Sequence, residues 1–217
     1  MKQSVLIVDD HPAMIEGYKS ILSFNTHGYE LDFKSAHTAE QAHSFIAGDI
    51  QFDIIFLDLS MPGYLEKAIH SGEDLIPHIR KHQPQSKVIV ITSHAEQFLL
   101  YRIYKKTSPD GIFIKSDFTS KEFLVAFDAV ARGEKYYTQT MKETLKKISS
   151  SDFYLDSIDM QLISLLSQGM KSKGLTEQLL LSLSAIDKRK QRIREFFGIE
   201  KGNDEDIVRE AKKQKFV

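Results

Sequence analysis

The chain has 217 residues, 41% of them apolar, and its 29 basic and 30 acidic side chains leave a formal net charge of −1. That length holds one large domain or two small ones, and the near-neutral total neither favours nor excludes a polyanionic partner. Cysteine is absent, which excludes disulfide frameworks, thiolate metal sites and cysteine nucleophiles.

The chain starts Met1-Lys2-Gln3 and passes directly into Val5-Leu6-Ile7-Val8, an apolar stretch too short for a signal peptide. No apolar run approaches a membrane span, so a soluble cytoplasmic protein without a membrane partner is expected. Val5–Val8 reads as a buried parallel strand, and so do Ile54–Leu57, Val88–Ile91 and Ile112–Ile114. Glu30–Ala36 alternates and reads as an edge strand. Amphipathic helical segments lie between and after them, at Pro12–Phe24, Thr38–Ala47, Gly72–His82, Ala95–Lys106 and Ser120–Arg132. Pro12 suits a first helical turn, where its missing N–H costs nothing. Strand then helix, five times over, predicts a doubly wound parallel α/β sheet.

After Arg132-Gly133 the pattern changes. Residues 134–152 are polar, with one weakly helical stretch around Met141–Ile148, and Ser149-Ser150-Ser151 reads as a flexible joint. From Phe153 onward only short helical patterns occur. Asp156 is a natural cap for a helix over Ser157–Gln168, stopped by Gly169. A second helix is expected over Ser172–Leu180. A third, capped by Ser182, covers Leu183–Phe197 and stops at Gly198, and Asn203 caps a fourth. The organisation expected is therefore an α/β domain over 1–133, a linker over 134–152 and an all-α domain over 153–217.

Polar residues of the first domain gather at strand ends. Asp9 and Asp10 follow the first strand, Asp58 the third, Thr92 ends the fourth and Lys115 the fifth. In an open parallel sheet, ligands bind beyond the carboxyl ends of the strands where strand order reverses. Three converging carboxylates repel one another, and a hard divalent cation such as Mg²⁺ relieves that repulsion. Aspartates as mere turn residues would leave Thr92 and Lys115 unexplained. A phosphatase of the haloacid-dehalogenase type would want a second acid two residues beyond Asp58, where Ser60 stands.

The segments Val8-Asp9-Asp10-His11-Pro12, Phe56-Leu57-Asp58-Leu59-Ser60-Met61-Pro62-Gly63, Val90-Ile91-Thr92-Ser93 and Gly111-Ile112-Phe113-Ile114-Lys115 together resemble the receiver domain of bacterial response regulators. The resemblance implies a flavodoxin-like (βα)5 fold. It also implies that a sensor histidine kinase phosphorylates Asp58. Asp10, Asp58 and the backbone carbonyl of Ser60 would then hold Mg²⁺, and Asp9 would act through a bound water. Lys115 and Thr92 would contact the phosphoryl oxygens, in keeping with transfer that needs positioned charge above all. Two departures stand out. Ile112 occupies the position of the usual aromatic switch, and strand alternation turns the neighbouring Phe113 to the other face. Residues 64–71 lengthen the loop after Asp58. None of the eight histidines, all within the first 94 residues, has a zinc-like spacing, and His11 is expected to be structural.

In the third C-terminal helix, Ile186, Ile193 and Phe197 share one face, while Ser184, Lys188, Gln191 and Arg192 are expected toward solvent. Between Ser182 and Phe197 five basic residues stand against two acidic ones. This pattern, with Leu165-Leu166, Gly169, Leu175, Leu179 and Phe197-Gly198-Ile199, resembles the LuxR-type helix-turn-helix and, with the receiver, the NarL/FixJ class. The resemblance implies a regulator of transcription and not an enzyme, homodimeric when active and bound to double-stranded DNA. Ser184, Lys188, Gln191 and Arg192 would face the DNA, and Arg189 a backbone phosphate. Asp187 and Gly174 depart from that family's pattern. The alternative is a phosphorelay or interaction module whose helical domain mediates dimerisation.

Overall fold

The structure, a computed structural model, describes residues 2–95, 97–150, 155–214 and 216–217. It divides into two compact units, Met1–Glu143 and Thr144–Val217. Ser151 of the expected joint, Phe153 at the expected start of the second domain and Glu96 of the expected fourth helix lie outside the described residues.

The first unit runs β1 (Lys2–Val8), α1 (Pro12–Ser23), β2 (Glu30–Ala36), α2 (Ala39–Ala47), β3 (Ile54–Asp58), β4 (Pro62–Tyr64), β5 (Ile69–Ser71), α3 (Leu75–His82), β6 (Lys87–Thr92), α4 (Gln97–Thr107), β7 (Gly111–Ile114), α5 (Ser120–Ala131) and β8 (Tyr136–Tyr137). Strands β2-β1-β3-β6-β7-β8 form one sheet in that order, with every neighbouring pair parallel. The chain leaves β1 toward β2 and returns to its other side as β3, so strand order reverses at the β1/β3 boundary. Residues of alternate parity cover opposite faces of the sheet. Val5, Ile7, Ile54, Phe56, Ile89, Ile91 and Phe113 pack with Ile15, Tyr18, Phe123 and Phe127 of α1 and α5. Leu6, Ile55, Val90 and Ile112, of the other parity, are also fully buried. Both faces are covered, which explains why the strands read as continuous apolar runs.

Two segments differ from the sequence expectation. Residues 64–71 belong to an antiparallel hairpin, β4 with β5, closed at its tip by a 3-10 turn over Leu65–Lys67. Its closure depends on Gly63, where a side chain would run into the backbone of Ile69 and His70. The polar stretch after Gly133 is ordered within the first unit: Tyr136 and Tyr137 pair in parallel with Gly111 and Ile112 as a sixth strand. Helix α6 (Gln139–Ser150) then begins, its first turn tied by Thr140, whose N–H and hydroxyl both donate to Asp117 at 2.8 Å. Two residues of strand give too little alternation to be read from a sequence. The expected third helix opens as a 3-10 turn over Gly72–Asp74 before α3.

The second unit holds α7 (Ser157–Ser167), α8 (Ser172–Leu179), α9 (Leu183–Phe196) and α10 (Asp204–Lys213). Asp156, Ser182 and Asn203 cap α7, α9 and α10 as expected, Asp156 and Asn203 in full capping boxes with Asp159 and Asp206. Each such cap contributes about 1 kcal/mol. Gly169 (φ 83°) and Gly198 (φ 70°) take the left-handed conformation that ends α7 and α9. Leu162, Ile163, Leu166, Leu175, Ile186, Ile193, Phe196 and Ile207 form the buried apolar interior. Gly174 lies in α8 where a Cβ would sit 2.9 Å from Met170 Cγ, so its cost in helix propensity accompanies close packing on Met170.

Candidate functional site

Register sets the site. Val8 pairs with Leu57, Asp58 with Ile91 and Thr92 with Ile114. The residues that follow β1 and end β3, β6 and β7 therefore emerge at one level, beside the point where strand order reverses. Asp9 and Asp58 are each 1% exposed there. Lys115 Nζ donates to both, at 3.1 Å to Asp9 Oδ2 and 2.9 Å to Asp58 Oδ2. Burial pulls the Lys115 ammonium down, but its hydrogen bonds to Asp58 and Asp9 and their charges outweigh this and hold the pKa above the ordinary lysine value.

The Oδ1 of Asp10 is buried and makes no well-formed hydrogen bond. His11 Nδ1 lies 2.9 Å from it, an approach that is attractive only when that nitrogen carries a proton. One ligand atom from each of Asp9, Asp10, His11 and Asp58 lies within 4.8 Å of the others. Three carboxylates against one ammonium, with an orphaned oxygen among them, fit a hard divalent cation, which prefers oxygen ligands. The backbone N–H of Ser60 donates to Asp58 Oδ1 at 3.0 Å, fixing that side chain in a tight turn. Thr92 is fully buried, and its hydroxyl oxygen accepts from the His94 N–H at 3.1 Å, which leaves its own proton to donate.

Three neighbours support the site: His11, expected to be structural, and Gly72 and Tyr18, to which the sequence assigns no part in it. His11 donates from its backbone to Asp9 Oδ1 at 2.9 Å. Gly72 lies against Asp58 so closely that a Cβ would overlap the Asp58 carbonyl oxygen. Tyr18 of α1 has a buried hydroxyl, and its pKa is pushed up by burial and by the charges of Asp9 and Asp58.

The second candidate surface is α9. Ser184, Lys188 and Gln191 are exposed as expected, and Gln191 Nε2 donates to Glu195 at 3.0 Å. Arg189 and Arg192 are not turned to solvent. Arg189 Nη1 donates at 2.7–2.8 Å to Asp156 and Asp159, and Arg192 Nη2 reaches the same two carboxylates. Asp159 is fully buried, so these guanidiniums compensate a charge that would otherwise be costly. Burial raises the Asp156 carboxyl, but hydrogen bonds from Arg189, Asp159 and Arg192 prevail and bring it down to about 2. Lys190 also faces inward, 2.6 Å from Asp204. The basic count of α9 is visible in its residues alone, but not that Asp156, Asp159 and Asp204 absorb most of it.

The family model of the response regulator receiver domain matches residues 5–124. The chain belongs to the response regulator receiver family. The receiver forms the first unit, and a helix-turn-helix unit of α8 and α9 follows it. The chain is similar to the transcriptional regulatory protein MctR of Rhizobium johnstonii, 21% identical over 91% of this chain and 88% of that one. It is similar to the nitrate/nitrite response regulator protein NarP of Escherichia coli, 27% identical over 84% and 82%. A solved structure of two RcsB dimers bound to two parallel DNAs superposes with a TM-score of 0.66 at 22% identity, covering 98% of both chains, and shows that the fold is shared. Among the described residues, no helix of this response regulator is long and apolar enough to cross a membrane.

Proposed function

We propose that this response regulator is phosphorylated on Asp58 by a sensor histidine kinase and regulates transcription by binding double-stranded DNA as a dimer. The observation that carries the reading is Lys115 held between Asp9 and Asp58 beside the buried Oδ1 of Asp10, which makes no well-formed hydrogen bond. Asp10, Asp58 and the carbonyl of Ser60 would hold Mg²⁺, with Asp9 bound through water. When bound there, Mg²⁺ would supply positive charge to offset the phosphoryl group. An Asp58 carboxylate oxygen attacks the phosphorus of a phosphohistidine, the P–N bond breaks, and an aspartyl phosphate forms. Lys115 exchanges its bond to Asp58 for one to a phosphoryl oxygen, and the Thr92 hydroxyl donates to another. Those contacts bias the receiver between two packings. Ile112 and Phe113 are both fully buried, so the bias acts without an aromatic side chain rotating at position 112. The functional boundaries on this reading are a receiver over 1–133, a connecting segment over 134–152 and a DNA-binding domain over 153–217. Dimerisation then raises the effective concentration of the second DNA-binding unit at paired half-sites.

The test treats the full chain and Asp58→Ala with Mg²⁺ and acetyl phosphate, then selects bound duplexes from a random pool. Stoichiometric labelling of the native chain alone, with tighter DNA retention after labelling, is expected. Equal labelling of Asp58→Ala overturns the reading. One observation favours a second reading, a dimerisation or interaction unit without DNA: Arg189, Lys190 and Arg192 are bound to carboxylates of their own unit. A flat dependence of duplex affinity on salt would support it.

A further inference from the structure

The exposed arc of α9 carries Leu183, Ser184, Asp187, Lys188, Gln191 and Glu195, with the half-buried Arg194 on the same side. Once Arg189, Lys190 and Arg192 are paired inward, Lys188 and Arg194 are balanced by Asp187 and Glu195. Such a face gains little from releasing counterions, so its contribution to DNA binding has to come from base edges. Among the described residues the Asp187 side chain has no ion pair and no hydrogen bond, and it stands in the second turn of α9, on its exposed arc.

Resting on the DNA-binding reading above, we infer that Asp187 is a specificity residue that selects cytosine. A carboxylate only accepts hydrogen bonds, and in the major groove it meets acceptors at guanine N7 and O6, at thymine O4 and at adenine N7 beside its amino group. Cytosine presents its N4 amino donor with an acceptor, guanine O6, on one side only and C5–H on the other, whereas the adenine amino group lies between two acceptors, so cytosine is the base at which the charge of Asp187 is least opposed. Leu183 lies one turn earlier on the same arc, is 53% exposed, and offers an apolar surface to a thymine 5-methyl group. Arg189 and Arg192 hold α9 against the start of α7 as positioning residues.

The deciding experiment selects duplexes from a random pool with the full chain, with Asp187→Asn and with Leu183→Ala, each before and after acetyl phosphate and Mg²⁺. The native chain is expected to enrich a motif with cytosine at one fixed position. Asp187→Asn, which keeps the shape and gains a donor, is expected to move that position toward adenine, changing the cytosine-to-adenine preference about tenfold. Leu183→Ala is expected to relax a thymine in the same half-site and leave the cytosine in place. If Asp187→Asn binds every duplex more tightly by one common factor and keeps the native motif, Asp187 is merely repulsive and the inference fails alone. If the folded native chain enriches no duplex in either state, the inference fails together with the DNA-binding reading.

Discussion

Each unit of this protein contains a cluster of carboxylates and cations, and the two are balanced differently. At the strand ends, three carboxylates, Asp9, Asp10 and Asp58, stand against one ammonium, Lys115, and a buried Asp10 oxygen makes no well-formed hydrogen bond. In the second unit, Asp156 and Asp159 meet two guanidiniums and also bond the backbone at the start of α7. The balanced cluster is a strut: its charges are spent on one another and on a helix cap. The unbalanced cluster keeps negative charge in excess, which an added cation would offset. Charge left over, more than charge density, separates a reactive centre from a structural one.

The largest expected effect is at the unbalanced cluster. Asp58→Ala should abolish covalent labelling by acetyl phosphate, read as loss of the phosphoryl mass increment, while the chain stays folded. Added Mg²⁺ should stabilise the receiver by about 2.7 kcal/mol at a hundredfold excess over its Kd. Thermal unfolding should show that Asp10→Asn removes this gain, and an undiminished gain would break the contrast. Gly72→Ala should cost about 2 kcal/mol and slow labelling, because the new methyl displaces the Asp58 backbone. Gly17→Ala, at an exposed position inside α1 with open space around it, should instead stabilise by about 0.5–1 kcal/mol.

The balanced cluster should respond in stability alone. Arg192→Ala is expected to destabilise the second unit by about 1–2 kcal/mol given its partial exposure, read as a lower unfolding temperature, with labelling of Asp58 unchanged. A change in labelling rate would mean that the strut is not merely structural. The smallest effect concerns acid. The Asp156 carboxyl lies below its ordinary value in the folded chain, so its stabilisation is fully present above about pH 4 and fades as pH falls toward 2. A melting series should show that decline, and Asp156→Asn should flatten it.

The sheet and its site were legible because strands buried on both faces leave continuous apolar runs, and because Asp9, Asp10, Asp58, Thr92 and Lys115 each stand where such a run stops. Caps at Asp156, Ser182 and Asn203 were legible because they are local chemistry. Pairing across the fold was not. Nothing in the spacing of Arg189 and Arg192 tells that Asp159, thirty residues earlier and buried, turns them inward. The contact of Gly72 with Asp58 was hidden for the same reason: the hairpin separates in sequence what it joins in space. Tyr136–Tyr137 escaped because two residues of strand carry no period.

That hairpin has a consequence for how the protein tolerates change. Pro62 and Ser71 are cross-strand partners, so the segment leaves and rejoins the receiver at nearly one place. Its tip, with Leu65 75% exposed, hangs outside that closure. Residues added or removed between Leu65 and Lys67 should therefore leave the acceptor carboxylate where it stands. The tip is a port where a foreign peptide or a fluorophore could be carried close to the reacting centre without retuning it.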